Sequence, residues 1–259
     1  MWPPSMRLLR PLVIAVGLIL LWQGVVWIAQ PAPFILPGPG RVAVAWADHH
    51  ALILANAATT VTEILLGLVI GTGLGATSAM LLAQFRLARL WLLPALVASQ
   101  AVPVFALAPL LVLWLGYGLA SKVAMATLII YFPVTATLFD GLRRTDPGWL
   151  DLAQVMNARP LSVLFRLRLP AALPALASGL RVATAVAPIG AVVGEWVGSG
   201  AGLGYLMLHA NGRMQIDLLF AALLTLTVIA VALYFAVDAG MRRAIRWQPD
   251  TAPGDDPRS

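Results

Sequence analysis

Six long apolar segments constrain this chain more than any other feature of its sequence. The hydrocarbon core of a bilayer is about 30 Å thick, and a helix crosses it with about 20 apolar residues. Segments that reach or approach this length lie at positions 11–29, 60–83, 90–115, 123–142, 171–197 and 218–237. Only 11% of the residues are charged, against about a quarter in soluble domains. The sequence therefore predicts an all-α membrane protein with six transmembrane helices.

The basic residues indicate the direction in which these helices run. Arg41, Lys122 and Arg213 fall on the outer side if the N-terminus is cytoplasmic, and Arg181 falls within the fifth segment. The other thirteen fall on the cytoplasmic side: Arg7, Arg10, Arg86, Arg89, Arg143, Arg144, Arg159, Arg166, Arg168, Arg242, Arg243, Arg246 and Arg258. Short cytoplasmic loops accumulate Lys and Arg. We therefore expect both termini in the cytoplasm.

One transmembrane domain is predicted over residues 1–247, and a disordered tail over 248–259, which is rich in Pro, Asp and Gly. The basic start of the first segment is similar to that of a signal peptide. Its apolar stretch is longer than a typical signal core, however, and no A-x-A-like site follows it. We expect an uncleaved first helix, followed by a short interfacial helix over Val42–Ile53.

Several kinds of chemistry are disfavoured by the residues present. The chain has no cysteine, which excludes disulfides and thiolate metal sites. His49 and His50 are adjacent, so on a helix they point to different faces and suit one metal ion poorly. The glycine-rich stretch 194–204 matches neither phosphate-binding pattern. We expect no metal and no cofactor on this chain.

The apolar segments also carry packing and pathway signals. Gly67, Gly71 and Gly75 recur every fourth residue, which predicts a close approach of another helix. Prolines at 94, 103 and 109 kink the third segment near Gln100, which is typical both of transport pathways and of packed membrane cores. Glu195 near a membrane rim either pairs structurally or faces an aqueous path. For the kinked third segment and for Glu195, both the structural and the pathway alternative stay open.

The one long polar excursion on the cytoplasmic side covers residues 145–170. Asp146-Pro147 is typical of a helix start, and Asn157 tolerates the left-handed backbone that ends a helix. Pro160 can begin a second short helix, which Pro170 closes before the fifth span. Leu161, Leu164, Phe165 and Arg168 share one side of that helix, and Arg159, Ser162 and Arg166 another. We predict a helix–turn–helix between spans four and five. A loop that merely rests on anionic lipid is the alternative.

This segment resembles the EAA signature of permease subunits of ATP-binding-cassette importers. The resemblance rests on Asp151-Leu152-Ala153, Asn157-Ala158 and Leu167-Arg168-Leu169-Pro170. Asp151 stands where the signature has glutamate, Leu152 where it has the first alanine, and Asn157 where it has glycine. Leu36-Pro37-Gly38-Pro39, the stretch 103–118 and Gly202-Leu203-Gly204-Tyr205 are similar to the nitrate/sulfonate/taurine-type branch, and Met156-Asn157-Ala158 with 194–199 to permeases for pyrimidine precursors of thiamine.

The resemblance implies a multi-pass subunit of the bacterial inner membrane that forms the pathway for a small organic solute. It implies a dimer of cytoplasmic ATPases, which bind ATP and Mg²⁺, a periplasmic or lipid-anchored binding protein, and a second, identical permease subunit. Sulfonate, taurine, nitrate and riboflavin are alternative substrates. The resemblance implies coupling to the ATPase through residues 151–170, with Asp151, Ala153, Asn157, Ala158, Arg159, Leu169 and Pro170 as the coupling residues. Candidate pathway residues are Gln100, Pro103, Phe105 and Glu195.

Two other functional classes fit the sequence less well than a transport subunit of this kind. An intramembrane protease requires a Ser/His pair or paired aspartates within the bilayer, and the apolar segments offer neither. A secondary transporter commonly shows two related halves with charged or unwound sites near the midplane. No internal repeat is visible, and Arg181 is the only charge well inside a segment. The absence of a Walker A sequence agrees with ATP hydrolysis on a separate subunit.

Overall fold

The computed structural model describes residues 4–247, with side chains from residue 13 onward, and the predicted tail at 248–259 lies outside the described residues. Every regular element in this part of the chain is helical. The elements are α1 Pro4–Ala29, α2 Pro39–Gln84, α3 Arg86–Ser99, α4 Val104–Leu115, α5 Leu119–Arg143, α6 Pro147–Val155, α7 Pro160–Val163, a π-helical turn Leu164–Arg168, α8 Leu169–Gly198, α9 Leu203–Gly212 and α10 Ile216–Ala244.

Four helical stretches within the described residues are long and apolar enough to cross a bilayer, namely α2, α5, Pro160–Gly198 and α10. Helices α3 and α4 meet the same criterion only as a pair. In α1, the part whose side chains are described, Val13–Ala29, is a shorter apolar helix. The chain is therefore a multi-pass α-helical membrane protein, and by length and composition its described residues contain four spans, or five when the bent pair counts as one.

The third predicted span is not one helix. α3 and α4 are bent by 103° at the break between them, so the continuous span predicted over 90–115 is wrong. Pro103 is the N-cap of α4 and has an extended backbone. Proline disfavours the helical conformation of the residue before it and donates no backbone hydrogen bond, which explains why the helix stops here. Pro94 and Pro109 lie inside their helices.

The predicted bounds of the short helix over Val42–Ile53 are wrong, because helical structure extends from Pro39 to Gln84 and is broken only by a kink at His49, not at Ile53. Its only non-helical backbone angles are at His49, with φ −115° and ψ 18°. His49 Nδ1 lies 3.0 Å from the carbonyl oxygen of Ala45. The polar stretch at 48–50 therefore kinks a long helix instead of ending a short one.

The described residues fold into two compact units. One contains the residues up to Thr59 together with Ala201–Thr227, and the other contains Thr60–Gly200 together with the residues from Val228. In the first unit, Trp22 stacks on Phe220 with ring centroids 5.9 Å apart. The second unit contains the core of α2, α5 and α8, whose buried apolar residues include Ile64, Ile130 and Ala187.

Glycines allow α2 and α8 to approach α5 closely. A Cβ at Gly67 would lie 2.6 Å from Cβ of Ala126, and one at Gly71 would lie 2.8 Å from Cγ2 of Ile130. On α8, a Cβ at Gly190 would lie 2.8 Å from Cα of Ala126. The close approach predicted from the glycine spacing on α2 is therefore confirmed.

Substituting Gly190→Ala is expected to destabilise the protein by about 1–3 kcal/mol, because the new methyl group meets backbone that can move only with its helix. Chemical denaturation of the purified chain measures this. Gly73→Ala is the matched control, since a Cβ there meets nothing within 4 Å. Equal stability of the two variants would contradict the packing described for α5 and α8.

Candidate functional site

The segment between α5 and α8 begins with a capped helix. Asp146 Oδ1 accepts a hydrogen bond of 2.7 Å from the backbone N–H of Gly148, and Pro147 is the first helical residue. Just before this cap, the buried hydroxyl of Thr145 donates to the carbonyl oxygen of Leu142 at 3.2 Å. The helix start predicted at Asp146-Pro147 is confirmed.

Helix α6 ends in a left-handed turn at Asn157, whose φ is 48°. The Asn157 N–H donates to Gln154 O at 3.0 Å, and the Ala158 N–H donates to Ala153 O at 2.9 Å. This pair of bonds is the Schellman motif, which satisfies the last carbonyls of a helix. The predicted turn is confirmed, and it fixes where the chain reverses.

Asn157→Gly is expected to preserve this turn, whereas Asn157→Val should cost about 1–2 kcal/mol, because a β-branched residue avoids the left-handed region. Hydrogen exchange of the Ala158 amide reports the turn directly. We expect protection in Asn157→Val to fall about 5- to 30-fold relative to wild type and Asn157→Gly. Equal protection in the two variants would contradict a requirement for positive φ at this position.

The second half of the segment starts at Pro160 as predicted, but Pro170 does not close it. The helix continues from Pro160 to Gly198, and a π-helical turn at Leu164–Arg168 interrupts its α-helical pattern. The Leu169 N–H donates to Leu164 O, five residues back. Pro170 lacks an N–H and its ring would crowd the preceding turn of a regular α-helix. The wider π turn accommodates it, and the segment therefore joins α8 directly.

The extra residue in the π turn changes which side chains share a face. Leu164 is buried in the core with Leu138 and Leu142, whereas Leu161 and Phe165 are exposed. The predicted common side for Leu161, Leu164, Phe165 and Arg168 is therefore wrong. Leu164 anchors the segment to the helix bundle, and Leu161 and Phe165 remain accessible at the surface.

Three exposed side chains form what we call the α6 apolar face: Trp149, Leu152 and Met156. Leu152 is 60% exposed and Met156 is 72% exposed. They border a cavity of about 210 Å³ that Ala158, Ser162 and Arg166 also line. The sequence interpretation missed this face, although its spacing of three and four residues is the signal of a helix face.

The predicted coupling residues divide between surface and interior. Asp151, Asn157, Ala158 and Arg159 are exposed around the turn. Ala153 is buried and supplies the carbonyl of the Schellman motif. The remaining two, Leu169 and Pro170, are half-buried at the start of α8.

The predicted pathway residues lie in two different places. Gln100, Pro103 and Phe105 are exposed at the α3–α4 break. Glu195 is only 1% exposed, and its Oε1 accepts a hydrogen bond of 2.6 Å from the buried hydroxyl of Thr60. Glu195 therefore has the buried, hydrogen-bonded environment expected for structural pairing, which was one of the two alternatives considered for it.

Glu195 belongs to what we call the buried charge cluster: Glu63 on α2, Lys122 on α5 and Glu195 on α8. Lys122 Nζ lies 2.5 Å from Glu63 Oε1 and donates to Ser199 Oγ at 3.0 Å. The contact with Glu63 is an ion pair. Glu63 is fully buried and Lys122 is 5% exposed. Such charges are costly inside a membrane protein and connect three helices here.

A second ion pair links two helices of the same unit. Arg181 Nε on α8 donates to Asp238 Oδ1 on α10 at 2.5 Å, and Arg242 Nε donates to the other oxygen at 2.9 Å. Arg181 is thus paired within the chain, which the sequence interpretation did not predict because the two residues are 57 positions apart.

The sequence matches a known family over most of its length. The family model described as binding-protein-dependent transport system inner membrane component matches residues 52–247.

Three curated relatives match over nearly the whole chain. A probable ABC transporter permease protein of Haemophilus influenzae is 55% identical, over 93% of this chain and 98% of that protein. The formylaminopyrimidine transport permease protein of Halalkalibacterium halodurans is 33% identical, over 90% of this chain and 93% of that protein. The riboflavin transport system permease protein of Chloroflexus aurantiacus is 35% identical, over 89% of this chain and 87% of that protein.

A solved structure shares the fold. A chain of the MetNI methionine ABC transporter, in an inward-facing conformation, aligns with a TM-score of 0.67 and 19% identity. The alignment covers 76% of this chain and 98% of that one.

Proposed function

Because this chain belongs to the family of inner membrane components of binding-protein-dependent transport systems, we propose that residues 145–170 dock a separate cytoplasmic ATPase and couple it to a membrane pathway. The chain is the permease subunit of an ABC importer, as its family and relatives show. The resemblance to the sulfonate/taurine-type branch and to pyrimidine-precursor permeases is confirmed. Family membership also removes the secondary transporter as an alternative.

The proposed topology has six spans in the bacterial inner membrane, with both termini in the cytoplasm. Contacts at the two ends of the α2–α5–α8 bundle support it. The buried charge cluster joins residues near the start of the apolar part of α2, the start of α5 and the end of α8. At the opposite end, Arg89 donates to Leu82 O and Ala83 O, and its guanidinium lies 5.8 Å from the Phe139 ring centroid. Because successive spans cross the membrane in opposite directions, the start of the second span, the start of the fourth span and the end of the fifth span must lie on the same side.

The α6 apolar face carries the docking proposal. Large apolar side chains that point to water in a polar segment are typical of a surface that a partner covers. The cavity beside them can accept one side chain of the ATPase, and Arg159 and Arg166 give the surface a basic margin. The Schellman motif and the buried Leu164 hold this surface rigidly, which reduces the entropic cost of binding.

The proposed mechanism transmits motion through one long helix. The stretch Pro160–Gly198 has 39 residues and runs from the docking segment to the buried charge cluster. Two ATPase subunits, holding ATP and Mg²⁺, would draw together the docking segments of two identical permeases. Helix α8 would move as a rod and switch the pathway between inward- and outward-facing states. We place Gln100, Pro103 and Phe105 along this pathway and assign Glu195 to helix positioning.

The proposed substrate is a pyrimidine precursor of thiamine, delivered by a periplasmic or lipid-anchored binding protein. The relative named for formylaminopyrimidine transport supports this. Riboflavin is the second candidate, supported by a relative of similar identity. Uptake of each compound into proteoliposomes that contain the permease, its ATPase and its binding protein tests the proposal. We expect ATP-dependent uptake of the pyrimidine, with riboflavin as the matched comparison. Uptake of riboflavin alone would overturn the substrate, and uptake without ATP would overturn the mechanism.

A further inference from the structure

A largely apolar cavity of about 210 Å³ lies in the second unit, between α3 and α5. Leu93, Leu96 and Val97 of α3 line one wall. Phe132 and Phe139 of α5 line the other. Val97 is 59% exposed, so the cavity opens at the surface of the helix bundle. Its walls therefore suit part of a hydrocarbon chain.

Two guanidinium groups converge on Phe139 at one end of this cavity. Cζ of Arg89 lies 5.8 Å from the ring centroid, and Cζ of Arg143 lies 5.4 Å from it. Neither arginine belongs to an ion pair within the described part of the chain. Asp140 also lines the cavity, but it is exposed and equally absent from those ion pairs. Two cations and one carboxylate leave this end with a net positive charge.

The two arginines are held differently. Arg89 Nε donates to the carbonyl oxygen of Leu82 at 3.2 Å, and its Nη2 donates to that of Ala83 at 3.2 Å, which fixes the guanidinium against the end of α2. Arg143 lines the cavity and is exposed. Beyond its contact with the Phe139 ring, its side chain makes no hydrogen bond to the residues that the structure describes. Arg143 is therefore the cation that can hold an anion at the mouth of the cavity.

We propose that this cavity binds one anionic phospholipid, with Arg143 and Arg89 at its phosphate and part of one acyl chain between α3 and α5. Guanidinium groups form charge-assisted hydrogen bonds with phosphate oxygens. The apolar walls favour a lipid over free phosphate, which has no chain to bury. Trp91 of α3 is 76% exposed, and tryptophan is typical of the depth of lipid headgroups. Basic pockets between membrane helices bind such headgroups.

The bound lipid would hold α3 against α5. Helix α3 runs from this cavity to the break before Pro103, so the lipid would also fix the position of that break. The lipid would come from the cytoplasmic leaflet, and only this statement and the link to a pathway rest on the proposed function. Binding of the lipid itself requires neither the ATPase nor the substrate.

Native mass spectrometry of the purified, delipidated full chain tests the proposal. The chain is titrated with phosphatidylglycerol, with phosphatidylcholine, which carries a phosphate but no net charge, and with inorganic phosphate. We expect one phosphatidylglycerol to bind at least about fivefold more tightly than phosphatidylcholine. Arg143→Gln should lower the affinity for phosphatidylglycerol about fivefold, which corresponds to about 1 kcal/mol for one basic residue near anionic lipid. It should leave phosphatidylcholine binding unchanged.

Two further variants separate the parts of the site. Arg243→Gln is the matched control, because Arg243 is an exposed arginine of α10 that does not line the cavity. It should keep the wild-type preference for phosphatidylglycerol. Ala136→Phe adds a large side chain to the cavity wall and should weaken the binding of both lipids at least fivefold. Wild-type affinities in Ala136→Phe would contradict the entry of an acyl chain.

Loss of the preference in Arg143→Gln, but not in Arg243→Gln, supports the site. Equal loss in both variants overturns it, because the preference then reflects the overall charge of the protein. Displacement of the lipid by an equal concentration of inorganic phosphate also overturns it, since the ligand is then a free anion. Absence of the lipid from dimers in the same spectra would show that a second copy covers the cavity, and would overturn it too. The experiment contains no ATPase, so each of these failures leaves the docking proposal untouched.

Discussion

A double substitution, Leu152→Asp with Met156→Asp, is expected to abolish co-purification of the chain with its ATPase. Both side chains are exposed on the α6 apolar face, at 60% and 72%. Burying side chains of this size contributes about 1.5–3 kcal/mol each. Losing both contributions removes at least about 3 kcal/mol, which is a factor of more than 100 in affinity. Burying two carboxylates adds a desolvation cost. Titration of the purified permease with its ATPase measures the change.

The control for this prediction is Gln154→Asp, which adds a carboxylate to the same helix on a different side from Leu152. It should leave the affinity within a few fold of wild type. The double variant should retain wild-type thermal stability, because both replaced side chains are exposed. Wild-type affinity in the double variant would contradict the assignment of the α6 apolar face as the docking surface.

Lys122→Met is expected to lower the free energy of unfolding by about 3–5 kcal/mol, the usual cost of removing one partner from a buried ion pair. Lys122 Nζ lies 2.5 Å from Glu63 Oε1, and both side chains are buried. Removing the ammonium leaves the fully buried Glu63 carboxyl without the charge that balances it. Denaturation of the purified chain at neutral pH measures the loss.

Two further variants separate charge from packing in this prediction. Glu63→Gln combined with Lys122→Met removes both charges of the pair and should recover most of the lost stability. Arg41→Met breaks an exposed ion pair with Asp217 and should cost less than about 1 kcal/mol. A double variant as unstable as Lys122→Met alone would show that the lost stability comes from packing.

Local signals explain which parts of the site were predictable from the sequence. The start at Asp146-Pro147, the turn at Asn157 and the restart at Pro160 each depend on the backbone preferences of one or two residues. The prediction that the segment ends at Pro170 was wrong, and it too depended on the backbone preference of a single residue. Proline usually stops a regular α-helix. Here the π turn at Leu164–Arg168 precedes it, and the wider turn accommodates a residue that donates no backbone hydrogen bond. The sequence does not show which of these two outcomes packs better against the bundle.

The buried charge cluster was not predictable, because its contacts join distant parts of the chain. Thr60 and Glu195 are 135 positions apart, and Lys122 and Ser199 are 77 apart. Hydrophobic periodicity places each residue near a helix end but does not specify which helix ends meet. The same limit applies to α2, since apolar pattern alone does not distinguish two helices from one helix kinked at His49.

The most direct test of the account is ATP hydrolysis by the reconstituted importer in response to its substrate-loaded binding protein. Deleting Asn157 and Ala158 removes the left-handed turn that positions the docking surface. The account predicts that wild-type complex shows stimulated hydrolysis, and that the deletion loses both stimulation and stable assembly with the ATPase. Unchanged assembly and unchanged stimulation in the deletion variant would contradict docking through residues 145–170.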